Sequence, residues 1–208
     1  MTRHAAKRMA EAVAWAATRP AVGRCRVMSR LLGRDRAVAM VGESAARWAG
    51  LWGVYRRRAF YRSVLRHVGR DVSIGFGSVI TKADAELHEG VYLGRYCGVG
   101  RARLESGAML ADGVQVLSGR HQHGTASDGD TAYRDQPHRY ERVRVGAGSW
   151  LGAASVVMAD VGERAIVAAG AVVVKPVAEG ARVAGVPAKA MGQAPAALSR
   201  PVSGHAAA

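Results

Sequence analysis

Aliphatic residues return every six positions through most of this 208-residue chain, and few folds accept that period. The blocks are Ile74 and Ile80; Leu87, Leu93 and Val99; Leu104, Leu110 and Val116; Val145, Leu151 and Val157; and Val161, Val167 and Val173. A helix repeats about every 3.6 residues and a half-buried strand about every two, so neither explains the spacing. A triangular coil does. Each hexapeptide forms one flat side with a short parallel strand, three sides complete a turn of about 18 residues, and stacked turns bury the aliphatics in a narrow prism. Small residues follow many of the aliphatics, as in Ile74-Gly75, Leu93-Gly94 and Leu151-Gly152, where tight corners need them. A core too narrow for rings also accounts for 26 glycines beside only 6% aromatic residues. A β-sandwich would alternate over longer strands, with turns about every 8 to 12 residues.

The slips in phase are informative as well. Ile80 to Leu87 is seven positions, Val99 to Leu104 five, and Val157 to Val161 four, which reads as bulges or shortened corners. Val116 to Val145 is a true excursion, spanning 118–142 and rich in His, Asp, Arg and Gly. A long polar loop thrown from a solenoid is where function is usually placed.

Three further pieces carry a likeness to known proteins. Trp150-Leu151-Gly152 looks like a Trp-Ile-Gly motif, Ala169-Gly170-Ala171-Val172-Val173-Val174-Lys175 like Ala-Gly-Ser-Val-Val-Thr-Lys, and Gly185-Val186-Pro187-Ala188-Lys189 like Gly-Asn-Pro-Ala-Lys/Arg. With the period, their order and spacing make Ile74 to Gly192 resemble the hexapeptide-repeat acyltransferases, especially the maltose, galactoside and polysaccharide O-acetyltransferases. The resemblance implies an all-β left-handed parallel β-helix, acetyl-CoA as co-substrate and no metal. It also implies a homotrimer whose cofactor lies between neighbouring prisms, and direct transfer to a hydroxyl in a ternary complex.

Acyl transfer to an alcohol needs a base for the hydroxyl proton, and a histidine titrating near neutrality suits it. His121 occupies the family's catalytic position, at the start of the excursion and upstream of Trp150. His123 is two residues on; in an extended segment it points to the same side, so it lines the acceptor pocket or substitutes as base. Asp128, Asp130, Asp135 and Glu141 are candidates to orient a histidine or bind an acceptor, and His138 reads as an ordinary loop histidine. Trp150 is a wall for pantetheine or acceptor, or a cap on the coil. By motif position, Ala154 and Ala169 offer corners to the pantetheine arm, Val174 and Lys175 match the Thr-Lys pair, and Lys189 matches the cation that meets the cofactor's phosphates. Val186, Val174 and Gly192 depart from the family's Asn, Thr and second cation, and Arg182 is a candidate to compensate.

Other readings compete. A γ-type carbonic anhydrase would share the fold and take zinc from His88, His121 and His123. A non-enzymatic scaffold would make no use of His121. An acyl-enzyme through Cys97 is a minor route. Two cysteines build no disulfide framework, which leaves a reduced cytoplasm as the expected compartment. The first residues do not read as a secretory signal, because Glu11 interrupts the apolar stretch and arginines follow.

Charge divides the chain in two. Residues 1–70 hold 16 basic against 3 acidic residues, a net of +13, whereas 71–208 hold 14 against 13, a net of +1. The basic segment 1–70 is expected to form two or three short helices, loosely packed or partly disordered, with Met9, Val13, Ala16 and Ala17 on one face. It either caps the prism with its arginines solvated or lies on an anionic membrane, and the stretch Trp48, Trp52, Tyr55, Arg56, Arg57, Arg58, Phe60, Tyr61, Arg62 is the best membrane candidate. No recognition helix or RNP pattern favours nucleic acid. The expected organisation is therefore this segment, a β-helix domain at 71–192 and a disordered tail at 193–208. The function expected is acetyl transfer to a carbohydrate, a cell-envelope or exopolysaccharide glycan that is free or lipid-linked.

Overall fold

The computed structural model describes residues 3–122, 132 and 135–193. Helices α1 (Arg3–Leu32), α2 (Arg34–Ala46) and α3 (Gly50–Val64) precede a three-sided parallel β-solenoid. Face A stacks β1 (His67–Val68), β4 (Glu86–Leu87), β7 (Ala102–Leu104) and β10 (Val143–Val145). Face B stacks β2 (Ser73–Ile74), β5 (Tyr92–Leu93), β8 (Met109–Leu110), β11 (Trp150–Leu151), β13 (Ile166–Val167) and β15 (Ala181–Ala184), and ends in the antiparallel β16 (Lys189–Gln193). Face C stacks β3 (Val79–Ile80), β6 (Gly98–Val99), β9 (Gln115–Val116), β12 (Val156–Val157) and β14 (Val172–Val173).

The six-residue period is the axis of this architecture. Every aliphatic it picked out, from Ile74 to Val173, is at most 1% exposed. The rungs approach so closely that a methyl at Gly75 would lie 2.2 Å from the carbonyl oxygen of Gly94. The slips have one address. Steps from face A to B and from B to C keep six residues, as in Leu87, Leu93, Val99 and in Val161, Val167, Val173. Every slip, and the excursion, falls at the corner from C to A.

The helical region departs from its expectation. α1 is a single 30-residue helix that carries Pro20 in its interior. A proline there frees the carbonyl four residues back, which belongs to Ala16 on the exposed, solvent-accessible side of the helix. The buried line of α1 is Ala14, Thr18, Val22 and Cys25, so Met9, Val13, Ala16 and Ala17 face outward. α2 packs on β3, α3 on β1 and β2, and α1 on α2 and α3, so the helices cover the first rung of all three faces.

That first rung explains the arginines. A solenoid's terminal strands present carbonyls with no preceding rung, and a buried unpaired carbonyl is costly. Arg57, 1% exposed, donates to Ile74 O at 2.8 Å and to Trp48 O, and Arg62 donates to Gly69 O at 2.8 Å. Tyr61, fully buried, accepts from Ile80 N–H at 3.1 Å. Burial pushes the Arg57 guanidinium below its ordinary value, with Tyr61 acting weakly the other way. The expected membrane stretch is thus corrected in part: Arg57, Arg58, Phe60 and Tyr61 are interior groups of a cap, whereas Trp52 and Arg62 remain exposed. No helix among the described residues is long and apolar enough to cross a membrane.

Candidate functional site

The excursion leaves face C after β9 and returns to β10 through a pinned neck. Glu141 N–H donates to Ser118 O at 2.9 Å, and Ser118 Oγ accepts from Arg101 N–H at 2.8 Å. Gly119 has φ of 86°, and a side chain there would run into that of Glu141, so glycine is required. Arg101 also donates to Tyr140 O at 3.1 Å, and the Lys82 ammonium lies 3.5 Å from the Tyr140 ring centroid. His121 stands exposed two residues beyond this neck. His123, Asp128 and Asp130 lie outside the described residues. Glu141 is paired with Arg139 at 3.1 Å.

His138 is more than an ordinary loop histidine. Its Nδ1 is 2.9 Å from Gln122 O, and its ring stacks on Tyr140 with centroids 5.9 Å apart, so the returning segment holds the backbone beside His121. Sequence reasoning missed this latch because it joins residues 16 apart across a loop without period.

The predicted cofactor residues gather around the far end of face C. Its floor is the outward side of β12 and β14, Val156 and Val172. One edge is the B-to-C corner, where left-handed turns stack as Tyr96, Gly113, Ala154 and Gly170, and beyond Tyr96 no side chain in the column is larger than a methyl. Ala154 N–H is already given to Asp112 O at 2.9 Å, so this corner offers closeness rather than that donor. Ala169, beside Gly170, continues it. The other edge is the C-to-A corner, where Leu117, Met158 and Val174 follow one another through N–H to carbonyl bonds. Val174 and exposed Lys175 therefore share a corner with the root of the His121 loop, two rungs of about 4.8 Å each further along. The end of the floor is closed by Gly185 and Ala188, which bond to both sides of Val172, and exposed Lys189 follows as the start of β16.

Trp150 is on the neighbouring face. In register across face B stand Tyr92, Met109, Trp150, Ile166 and Arg182, and the first three are 44%, 47% and 47% exposed. Arg182 thus lies on face B rather than on the floor of face C. Cys97 is 1% exposed, and burial pushes its thiol above its ordinary value, so it presents no thiolate to an acyl donor.

Among the described residues, the groups able to share a cation are His67, His88 and Glu89, with ligand atoms within 4.8 Å of one another. Beside them Glu86 is already held by Arg66 at 3.2 Å, Arg142 at 2.8 Å and Arg103 at 3.9 Å, and these guanidiniums oppose a dication. The His88 and His67 rings lie with their centroids 4.8 Å apart, tilted by 45°.

No family model matches the chain, and no curated protein matches it. Solved structures do share its fold. A maltose O-acetyltransferase from Clostridium difficile 630 aligns at a TM-score of 0.69 over 79% of this chain and 89% of that one, at 16% identity. A galactoside acetyltransferase in complex with coenzyme A aligns at 0.66 over 82% and 86%, at 13% identity. A hexapeptide-repeat acetyltransferase from Vibrio cholerae O1 biovar eltor, complexed with acetyl coenzyme A, aligns at 0.62 over 80% and 91%, at 14% identity. At these identities the likeness is one of fold.

Proposed function

We propose that this chain, with the fold of hexapeptide-repeat acyltransferases, transfers an acetyl group from acetyl-CoA to a carbohydrate hydroxyl, with His121 as general base. One observation carries the reading: Ala154, Ala169, Val174, Lys175 and Lys189 surround the far end of one face, and the His121 loop leaves from the same corner as Val174 and Lys175. The names of the fold's solved neighbours, a maltose O-acetyltransferase and a galactoside acetyltransferase among them, support the substrate class.

In this reading the small corner residues admit the pantetheine arm, while Lys175 and Lys189 meet phosphates as charge-assisted donors. The acceptor hydroxyl oxygen attacks the thioester carbonyl as the His121 ring nitrogen takes its proton. The tetrahedral intermediate collapses to the ester, and the imidazolium returns the proton to the departing thiolate. Each cycle consumes thioester and alcohol and yields ester and free thiol. His138, through Gln122 O, holds the segment that carries the base.

His121 and Trp150 stand on different sides of one prism, at the C-to-A corner and on face B. A second prism laid against the exposed Tyr92, Met109 and Trp150 column would complete the site, which is the homotrimer reading. The acceptor is then an envelope or exopolysaccharide glycan reached in the cytoplasm, and His123 or Trp150 lines its pocket.

Titration of acetyl-CoA calorimetrically into wild type and Lys189→Ala, with zinc measured on the same sample, tests the donor half. Saturable binding weakened by the substitution, without stoichiometric zinc, is expected; no binding would sink the proposal. His121→Ala is expected to lower transfer to a glycan acceptor by about 10²- to 10⁴-fold while leaving acetyl-CoA affinity unchanged. Mixing inactive His121→Ala chains with inactive Lys175→Ala/Lys189→Ala chains should restore part of the activity only if neighbouring chains share sites.

A further inference from the structure

We propose that the outward face of α1 is a docking surface for an anionic lipid bilayer, an inference independent of the chemistry proposed above. α1 is the outermost layer of the cap, and its rotation is fixed by two ion pairs, Lys7 to Asp71 at 2.5 Å and Glu11 to Arg58 at 2.8 Å. With its line of Ala14, Thr18, Val22 and Cys25 buried, the helix turns Met9, Val13, Ala16, Pro20, Val27 and Leu31 outward. At about 100° per residue these six fall within roughly 60° of one another along the whole helix. Met9, Val13, Val27 and Leu31 are 54%, 52%, 57% and 75% exposed, and they fall on one line rather than scattered singly over the helix.

The flanks of this line are cationic. Arg8, Arg19, Arg26 and Arg30 border one side and Arg24 the other, all exposed. Arg19 stacks on Trp15, 4.7 Å from the ring centroid, which sets an amphipathic ring at the border. α1 holds seven basic residues and one acidic, Glu11, and Glu11 is already paired.

The occupant follows from the combination. A second copy of this helix would bring the same net charge of 7 − 1 = +6 against the first, which opposes self-pairing. A nucleic acid would satisfy the arginines but leave the methionine, valine and leucine line without an apolar partner. An anionic bilayer accepts both, with guanidiniums at the headgroups and the apolar line at the acyl boundary. Because no helix among the described residues is both long and apolar enough to cross a membrane, the contact proposed is peripheral. Because the cap covers the first rung of every face, docking would hold the solenoid away from the membrane.

The test is flotation of the full chain with vesicles of phosphatidylcholine, with and without phosphatidylglycerol. Binding is expected to the anionic vesicles alone and to weaken as salt rises from about 0.1 M to 0.5 M, where screening shortens. Val13→Glu/Val27→Glu/Leu31→Glu should reduce binding by at least about tenfold, because it removes the apolar line and adds like charge to the lipid. Leu31→Glu alone, at the most exposed position, should reduce it severalfold and serves if the triple variant misfolds. Failure of wild type to float with anionic vesicles would overturn the proposal, as would equal flotation of wild type and Leu31→Glu. A concentration-dependent rise in mass abolished by Leu31→Glu would assign the face to a second copy and overturn it too. So would oligonucleotide binding that displaces the vesicles yet is indifferent to Leu31→Glu.

Discussion

The two ends of the solenoid solve one problem by opposite means. At the first rung, carbonyls with no preceding strand are met by side chains of a separate helical cap, chiefly Arg57 and Arg62. At the last rung the chain closes on itself: Gly185 and Ala188 bond Val172, and β16 pairs antiparallel with β15. Between the ends the buried polar side chains are mostly small hydroxyls, Ser78, Ser118, Ser149 and Ser155, beside Glu86 on face A, whereas the cap buries the long guanidinium chains of Arg57 and Arg58 together with Thr18 and Tyr61. A repeating interior needs only a repeated side chain, and a terminus needs donors that the repeat cannot supply.

The largest test of this contrast lies in the interior. Gly152→Ala, after the interior strand β11, places a methyl 2.4 Å from the backbone nitrogen of Ala169 on the next rung, and backbone cannot yield there, so a loss of about 4 kcal/mol or more in denaturant unfolding is expected. Leu110→Ala, at a fully buried position, should cost about 2 to 5 kcal/mol. Arg57→Met keeps volume but orphans the Ile74 and Trp48 carbonyls, at about 1 to 3 kcal/mol for each buried acceptor. Hydrogen exchange should show that last loss in α3 and β2 first; uniform loss along the prism would erase the distinction between cap and repeat.

Acid should act on the prism's charged face. Burial raises Asp84, but its bonds and charge pairing with Arg101 and Arg142 outweigh this and hold it below the usual carboxylate range; Arg144 chiefly does the same for Glu105. A depressed folded value contributes stability above the unfolded value near pH 4, lost as pH falls through the folded one. For such half-exposed pairs the effect is on the order of 1 kcal/mol or less. The melting temperature should therefore decline below about pH 4, less steeply in Arg142→Gln. The smallest effect belongs to the cap: Gly23→Ala, in open space on α1, should raise stability by about 0.5 to 1 kcal/mol, since glycine is a poor helix former.

The candidate site was legible where it followed the repeat. Ala154, Ala169, Val174 and Lys175 could be named from motif order because each sits at a fixed offset from a core aliphatic. His121 could be named by its position at the start of the excursion. The His138 to Gln122 contact could not, since no local pattern joins them. Nor could α1 be oriented: its sequence offers two lines, Ala14, Thr18, Val22, Cys25 and Met9, Val13, Val27, Leu31, and the more apolar one faces out.

By itself, then, the sequence determined the prism, because a six-residue period reiterated over many rungs leaves one way to bury every aliphatic at once. Only the tertiary structure decided that every slip shares the C-to-A corner, that the Lys175 rung lies below the His121 loop, and that arginines read as surface groups close the first rung. Such outcomes depend on which groups are left unsatisfied when distant segments meet, and spacing along a chain does not record that.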